Sequence, residues 1–257
     1  MVHIALIQLA PDYDEPLDVR RQRAADLVRA QAGADLVVLP ELWPQGGFLY
    51  PRWADQAEGV DGPSIGAVAE AAKEIGAWVH AGSIVEDDAG SLHNTSVLLA
   101  PDGSVASTYR KVHLFGFSEG EPTLLTAGTD VVVAETDLGR IGLATCYDLR
   151  FPEMFRLLLD AGAELVLIPA AWPAVRVEHW SVLARARAIE NQYVVAAANT
   201  AGTQAGKEMG GRSIVIDARG NVVAEAGTDA EVLRADVDLA DVRLWRKRFP
   251  VHADRRL

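Results

Sequence analysis

The sequence predicts an α/β protein, a four-layer α-β-β-α sandwich of two similar halves. Three observations predict it. Short apolar runs alternate with helical stretches along most of the chain. The order of these elements is then repeated. Finally, 49% hydrophobic residues in a chain of 257 suffice to bury a sizeable core.

Val2–Leu9 reads as a buried strand. Leu17–Gln31 sets Leu17, Val19, Ala24, Leu27 and Val28 among charges at near-helical spacing, and Gly33 supplies a stop. Asp35–Pro40 is the next strand. Pro63–Ile75 is the second helix, with Ser64 near its start and Gly76 after its end. Strands follow at Trp78–Val85, Thr95–Ala100 and Val105–Tyr109, the last two joined by the turn Pro101-Asp-Gly-Ser104.

The second half repeats this grammar. Ala32-Gly-Ala-Asp-Leu-Val-Val-Leu-Pro40 is echoed by Ala161-Gly-Ala-Glu-Leu-Val-Leu-Ile-Pro169. Ser96-Val-Leu-Leu-Ala-Pro-Asp-Gly-Ser-Val105 is echoed by Ser213-Ile-Val-Ile-Asp-Ala-Arg-Gly-Asn-Val222, the offsets being 129 and 117 positions. Two matches in the same order place the halves at about 1–111 and 131–229. Each half is a sheet with helices on one face, and the two bare sheet faces bury each other. A single domain, 1–257, is expected, with a tail from about 238 that holds a helix at Leu239–Arg248.

Asp and Glu number 36 against 24 Lys and Arg, a formal charge of -12 that disfavours nucleic acid and anionic membrane surfaces as partners. The N-terminus lacks the basic leader of a signal peptide, and no apolar run approaches the roughly 20 residues of a membrane helix. Cys146 is the only cysteine. A reducing, cytoplasmic location is expected.

Cys146 sits on the bend between a strand, Gly139–Thr145, and a helix, Phe151–Asp160. Near a helix N-terminus the dipole and free N–H groups favour thiolate and offer donors to an oxyanion. A lone cysteine is as readily an inert buried residue. Glu41 directly follows one predicted strand and Lys111 closely follows another, and α/β sheets place their sites at such strand ends. Either charge alone is as readily a solvated loop residue. Together the three offer a nucleophile, a base and a cation.

Leu39-Pro-Glu-Leu-Trp43, Tyr109-Arg-Lys-Val-His-Leu-Phe115 and Cys146-Tyr-Asp-Leu-Arg-Phe-Pro-Glu153 resemble, in order, the three motif blocks of the nitrilase superfamily of carbon–nitrogen hydrolases. The resemblance implies Glu41 as general base, Lys111 as the group that steadies the tetrahedral intermediate, and Cys146 as nucleophile. It also implies a second glutamate between Lys111 and Cys146. Counting back from Ala127-Gly128 points to Glu121, with Glu119 as the alternative. No cofactor or metal is expected, because the six histidines show no metal-ligand spacing.

Cys146-Tyr147-Asp148 is similar to the amidase branches. Ala171–Trp180 and Ala184–Asn191 resemble the omega-amidases, which act on side-chain amides of 2-oxo dicarboxylic acids. A small amide, cleaved through a thioester, is the expected substrate, with a carbamoyl amide or mere metabolite binding as alternatives. Arg176 is a candidate partner for a substrate carboxylate. Trp43, Phe117, Tyr147 and Trp172 are candidate pocket walls. The family resemblance further implies a homodimer, with Phe155, Leu157, Leu158 and Leu159 of the helix after Cys146 serving both core and interface.

Overall fold

The computed structural model describes residues 1–256; Leu257, the last residue of the tail, lies outside the described residues. In the first half come β1 (Val2–Gln8), α1 (Leu17–Arg29), β2 (Leu36–Val38), α2 (Pro63–Ile75), β3 (Trp78–Asp88), β4 (Ser91–Leu99) and β5 (Val105–Arg110). The second half holds β6 (Val132–Thr136), β7 (Gly139–Leu143), α3 (Pro152–Asp160), β8 (Leu165–Ala170), α4 (Val177–Asn191), β9 (Val194–Asn199), β10 (Ile214–Ile216) and β11 (Val222–Glu225). β12 (Glu231–Val237) and α5 (Leu239–Arg248) follow, and short turns and a small hairpin complete the chain.

Two six-stranded sheets form, in the orders β12-β1-β2-β3-β4-β5 and β11-β10-β9-β8-β7-β6. The pairing repeats as the sequence echo does. β1, β2 and β3 run parallel and β4 and β5 return antiparallel. β7, β8 and β9 run parallel, with β10 and β11 antiparallel beyond them. Both echoed segments land on equivalent elements: β2 with β8, and the β4–β5 hairpin with β10–β11. Each sheet also carries an antiparallel edge strand beside its first parallel strand, β12 on β1 and β6 on β7. Those edge strands lay outside the predicted list, as did β9 and α4; the α4 sequence has no clean apolar stripe, with Arg187 and Asn191 on its buried side.

The strands read as continuous apolar runs because both of their faces are covered. Ile4, Leu6, Leu36, Val38 and Leu98 point inward and share one core with Leu165, Leu167 and Ala196 of the second sheet. Their neighbours Ala5, Ile7, Val37, Leu39 and Val97 point outward, onto Ala24 and Val28 of α1 and Ile65, Val68 and Ala72 of α2. α3 and α4 cover the second sheet in the same way, through Phe155, Leu158, Trp180 and Ala184. A few polar contacts cross the seam between the sheets, among them Ser96 Oγ to Thr145 Oγ1 at 2.9 Å. The pocket opens where that seam meets the carboxyl ends of β2 and β8.

Candidate active site

Glu41 leaves the end of β2 on a constrained backbone. Pro40 O lies so close to Gly82 that a Cβ there would stand 2.0 Å from it, and Gly82 has φ +69. Only glycine fits both demands. This is the irregularity in the β3 ladder between His80 and Ser83. Ser83 Oγ then accepts the N–H of Leu42, itself at φ 44. The carboxylate is thereby turned inward. Its Oε1 accepts from Lys111 Nζ at 2.7 Å and Asn94 Nδ2 at 2.9 Å, and its Oε2 from the Ala171 N–H at 2.9 Å.

Lys111, one residue past β5, is buried along its whole length. Its ammonium also meets Glu121, with 2.8 Å to Oε2. Burial works against the ammonium, but Glu121 and Glu41 outweigh it and keep the lysine charged well above its usual range. Glu121 begins a short helical turn and takes the Phe115 N–H on Oε2 and Asn94 Nδ2 on Oε1. Burial raises its carboxyl above the ordinary value, against the pull of Lys111. Glu119, the alternative, is exposed to solvent.

Cys146 opens a single 3₁₀ turn, Cys146–Arg150, and adopts φ 46. The expected helix, α3, starts only at Pro152, so the thiol does not sit at its N-terminus. The expectation of a dipole-stabilised thiolate is therefore corrected. Burial, and then the charge of Glu41, push the Cys146 thiol well above its usual value, with Lys111 opposing. The resting group is a thiol beside a carboxylate. Asp148 ties this turn to the other half: its Oδ2 accepts from Tyr109 Oη at 2.7 Å and the Thr145 N–H at 2.8 Å, and its Oδ1 from the His113 N–H at 3.0 Å.

Thiol, carboxylates and ammonium line one pocket of about 400 Å³, its open mouth included, with Phe48, Phe115, Tyr147 and Trp172 among its walls. Arg150 and Arg176 line it too. Their guanidinium carbons lie 4.7 Å from the Trp172 ring and 5.5 Å from the Phe115 ring. Neither arginine is paired with a carboxylate among the described residues. Two predicted walls are elsewhere. Trp43 is fully buried behind the site, its indole N–H donating to Ala81 O at 2.9 Å, because its position on β2's exit turns it into the α1–α2 core. Phe117 is 88% exposed on the loop before Glu121 and touches Phe115 edge-on without lining the pocket.

Asn94, Asp148, Phe48, Phe115 and Arg150 escaped the sequence reading. Asp148 and Arg150 lie inside the quoted Cys146–Glu153 block, and a lone amide at the head of the apolar run Thr95–Ala100 was the available signal for Asn94. Phe48 carries no such mark.

Residues 3–247 match the carbon-nitrogen hydrolase family. A 2-oxoglutaramate amidase of Paenarthrobacter nicotinovorans is 43% identical to the chain, covering 98% of it and 89% of that protein. A CN-hydrolase superfamily protein of Xanthomonas campestris, solved with an arsenic adduct in its active site, superposes with a TM-score of 0.92 at 32% identity, over 100% of this chain and 97% of that one. A variant of the amidase of Nesterenkonia sp. AN1, with acrylamide added at its active-site cysteine, is 27% identical with a TM-score of 0.81, over 96% and 99% of the two chains. Since the family match runs from β1 into α5 and takes in every element that carries the pocket, the chain belongs to the carbon–nitrogen hydrolase family.

Proposed function

We propose that the pocket hydrolyses the side-chain amide of a 2-oxo dicarboxylic acid monoamide, releasing ammonia. The observation that carries this reading is the division of the pocket: a buried thiol, carboxylate and ammonium at its base, and two guanidinium groups without acid partners along its wall. The first set suits attack on a carbonyl, and the second suits a carboxylate at the far end of a short substrate. The 2-oxoglutaramate amidase relative supports the same substrate class.

In this reaction Glu41 takes the thiol proton as Cys146 Sγ attacks the amide carbon. Lys111 Nζ meets Glu41 Oε1 and both oxygens of Glu121; with the two Glu121 oxygens sharing one ammonium hydrogen, the third is free to meet the oxyanion. Glu41 returns the proton to the nitrogen, the C–N bond breaks, and ammonia leaves a thioester on Sγ. Water then attacks the thioester, giving its proton to Glu41, and the acid departs as the thiol is restored. Support for these roles is the hydrogen bonding of Glu41, which leaves a carboxylate fixed beside a thiol that burial keeps protonated.

The acting form is proposed to be a cytoplasmic homodimer. In α3, Leu157 is 53% exposed while Phe155, Leu158 and Leu159 are buried, so Leu157 is the apolar residue of that helix available to a second copy. Among the described residues no helix is long and apolar enough to cross a membrane.

The deciding experiment incubates the protein with 2-oxoglutaramate, an N-carbamoyl amino acid and a neutral amide of similar length, follows ammonia, and weighs the intact chain after acid quenching. A mass increase of the 2-oxoglutaryl group on Cys146, absent in Cys146→Ala, is expected. Faster ammonia release from the carbamoyl acid would transfer the assignment to that chemistry.

A further inference from the structure

Asn94, in β4, is fully buried behind the two carboxylates that line the base of the pocket. Its Nδ2 donates to Glu41 Oε1 at 2.9 Å and to Glu121 Oε1 at 2.7 Å. Lys111 Nζ contacts the same two oxygens, at 2.7 and 3.0 Å. Two nitrogens and two carboxylate oxygens therefore close a ring in which each oxygen meets both donors. The Asn94 Oδ1, buried as well, has no hydrogen-bond partner among the described residues. A buried unpaired carbonyl weakens a fold. The hydrogen bonds of the Asn94 side chain both run from Nδ2 to the two carboxylates.

Two carboxylates sharing one dry site ordinarily retain a proton between them, since the second ionisation is opposed by the first. Lys111 offsets only one of the two charges. A protonated Glu41 would be useless to the thiol. An amide supplies two more N–H donors and never titrates, so it can take the position that a shared proton would otherwise occupy. We infer that Asn94 is a positioning residue for the base, spanning Glu41 and Glu121 so that both remain carboxylates and Glu41 stays free to accept the proton of Cys146. The inference rests on the reading of Glu41 as the base. It does not depend on which amide is cleaved.

The other titratable and charged groups around the pair are Lys111 and Cys146 within the site, Tyr50 from the turn after β2, and Tyr147, Arg150 and Arg176 of the pocket wall. All of them persist when Asn94 alone is changed. The test is the rate of Cys146 alkylation by iodoacetamide from pH 5 to 9, in the full chain and in Asn94→Asp and Asn94→Leu, with thermal melting to confirm folding. Alkylation displaces iodide from the CH₂ carbon and needs the thiol and its base but no cleavage of an amide bond. Both variants should react at least tenfold more slowly at pH 7, with the acidic limb moved up by one pH unit or more and part of the rate recovered at pH 9. Turnover of 2-oxoglutaramate should show the same displacement in kcat/KM. Asn94→Asp has the shape of the native side chain, so if Asn94→Leu fails to fold, the aspartate decides alone. An unmoved acidic limb, whether the rate is unchanged or lowered evenly at every pH, overturns the inference. Normal alkylation profiles in a protein that releases no ammonia from any 2-oxo acid amide would instead remove the substrate assignment.

Discussion

The backbone N–H of Ala171 donates to Glu41 Oε2 at 2.9 Å. Pro40-Glu41 at the end of β2 and Pro169-Ala170 at the end of β8 are equivalent positions in the two halves, so the acid of one half is held by the strand end of the other. Lys111 and Asn94 donate to Oε1, so this carboxylate receives donors on both oxygens.

That arrangement makes Glu41→Gln more than the loss of the proposed base. The glutamine NH₂ must face either Ala171 N–H or the Lys111–Asn94 pair, donor against donor, which leaves a buried group unpaired at a cost of about 1–3 kcal/mol. We expect turnover to fall by about a thousandfold or more, and the melting temperature to fall with it. A variant with near-parent kcat would transfer the role of base to another residue.

Lys111 tests the balance of charge. Lys111→Met should abolish turnover and destabilise the fold by about 3–5 kcal/mol, because two buried carboxylates lose their counter-ion. Adding Glu121→Gln removes one of the two stranded charges. The double variant should regain part of the stability while remaining inactive, and denaturant unfolding of the four proteins in the cycle gives the coupling directly. Independent losses, summing without coupling, would mean that Lys111 and Glu121 do not depend on each other as their contact implies.

The bulge behind Glu41 carries a pH signature. His80 is buried, accepts the Gly82 N–H on Nδ1 and has no partner for Nε2 among the described residues; burial pulls its pKa down to about 3. It is neutral in the folded chain, whereas the unfolded chain takes up the proton below about pH 6.5. Stability from this residue is therefore complete above that pH and is lost on acidification, by about 2 kcal/mol at pH 5. His80→Leu should melt lower at pH 7.5 for want of the Gly82 bond, but its melting temperature should fall less between pH 7.5 and 5 than the parent's. Parallel curves for the two proteins would show that His80 does not titrate on unfolding.

How much of this was legible depended on whether a property is local. The Ala32–Pro40 echo at Ala161–Pro169 carried the two-halved sandwich because a helix, a glycine and a buried strand recur in order in the chain itself. Glu41, Lys111 and Cys146 were legible as charges and a thiol at strand ends. Trp43 was misread because it lies on the turn past β2, where the path of the chain against Gly82, not strand alternation, sends its indole into the α1–α2 core. The thiol's state was misread for a different reason: one 3₁₀ turn separates Cys146 from α3, and its pKa is set by burial and by Glu41 across the seam, neither of which is local. β12 was missed because it belongs to the first sheet although it follows the second half in sequence.

The charge at the pocket wall gives a test of which acyl group enters. Arg176 and Arg150 rest over aromatic rings instead of beside carboxylates, and apart from a 3.3 Å contact of Arg150 with His179 Nδ1 their N–H forks can turn to a ligand without breaking an ion pair. A protein of net charge -12 repels anions at long range, and a pocket that accepts one needs a local cation besides Lys111, which the two glutamates already engage. Arg176→Ala should raise KM for 2-oxoglutaramate about tenfold or more, from the loss of roughly 1.5–3 kcal/mol of charge-assisted hydrogen bonding, with kcat changed much less. A neutral amide of similar length should show almost no change. If the two arginines grip one carboxylate, the double variant with Arg150→Ala should lose less than the two single losses combined, because the second removal finds the contact already weakened. Raising the ionic strength should lower KM for the anion in the parent, since salt screens the distant repulsion more than the close pair. Equal losses on charged and neutral amides would assign Arg176 to holding Phe115 and the pocket wall, and no loss on either would leave the carboxylate to Arg150 alone.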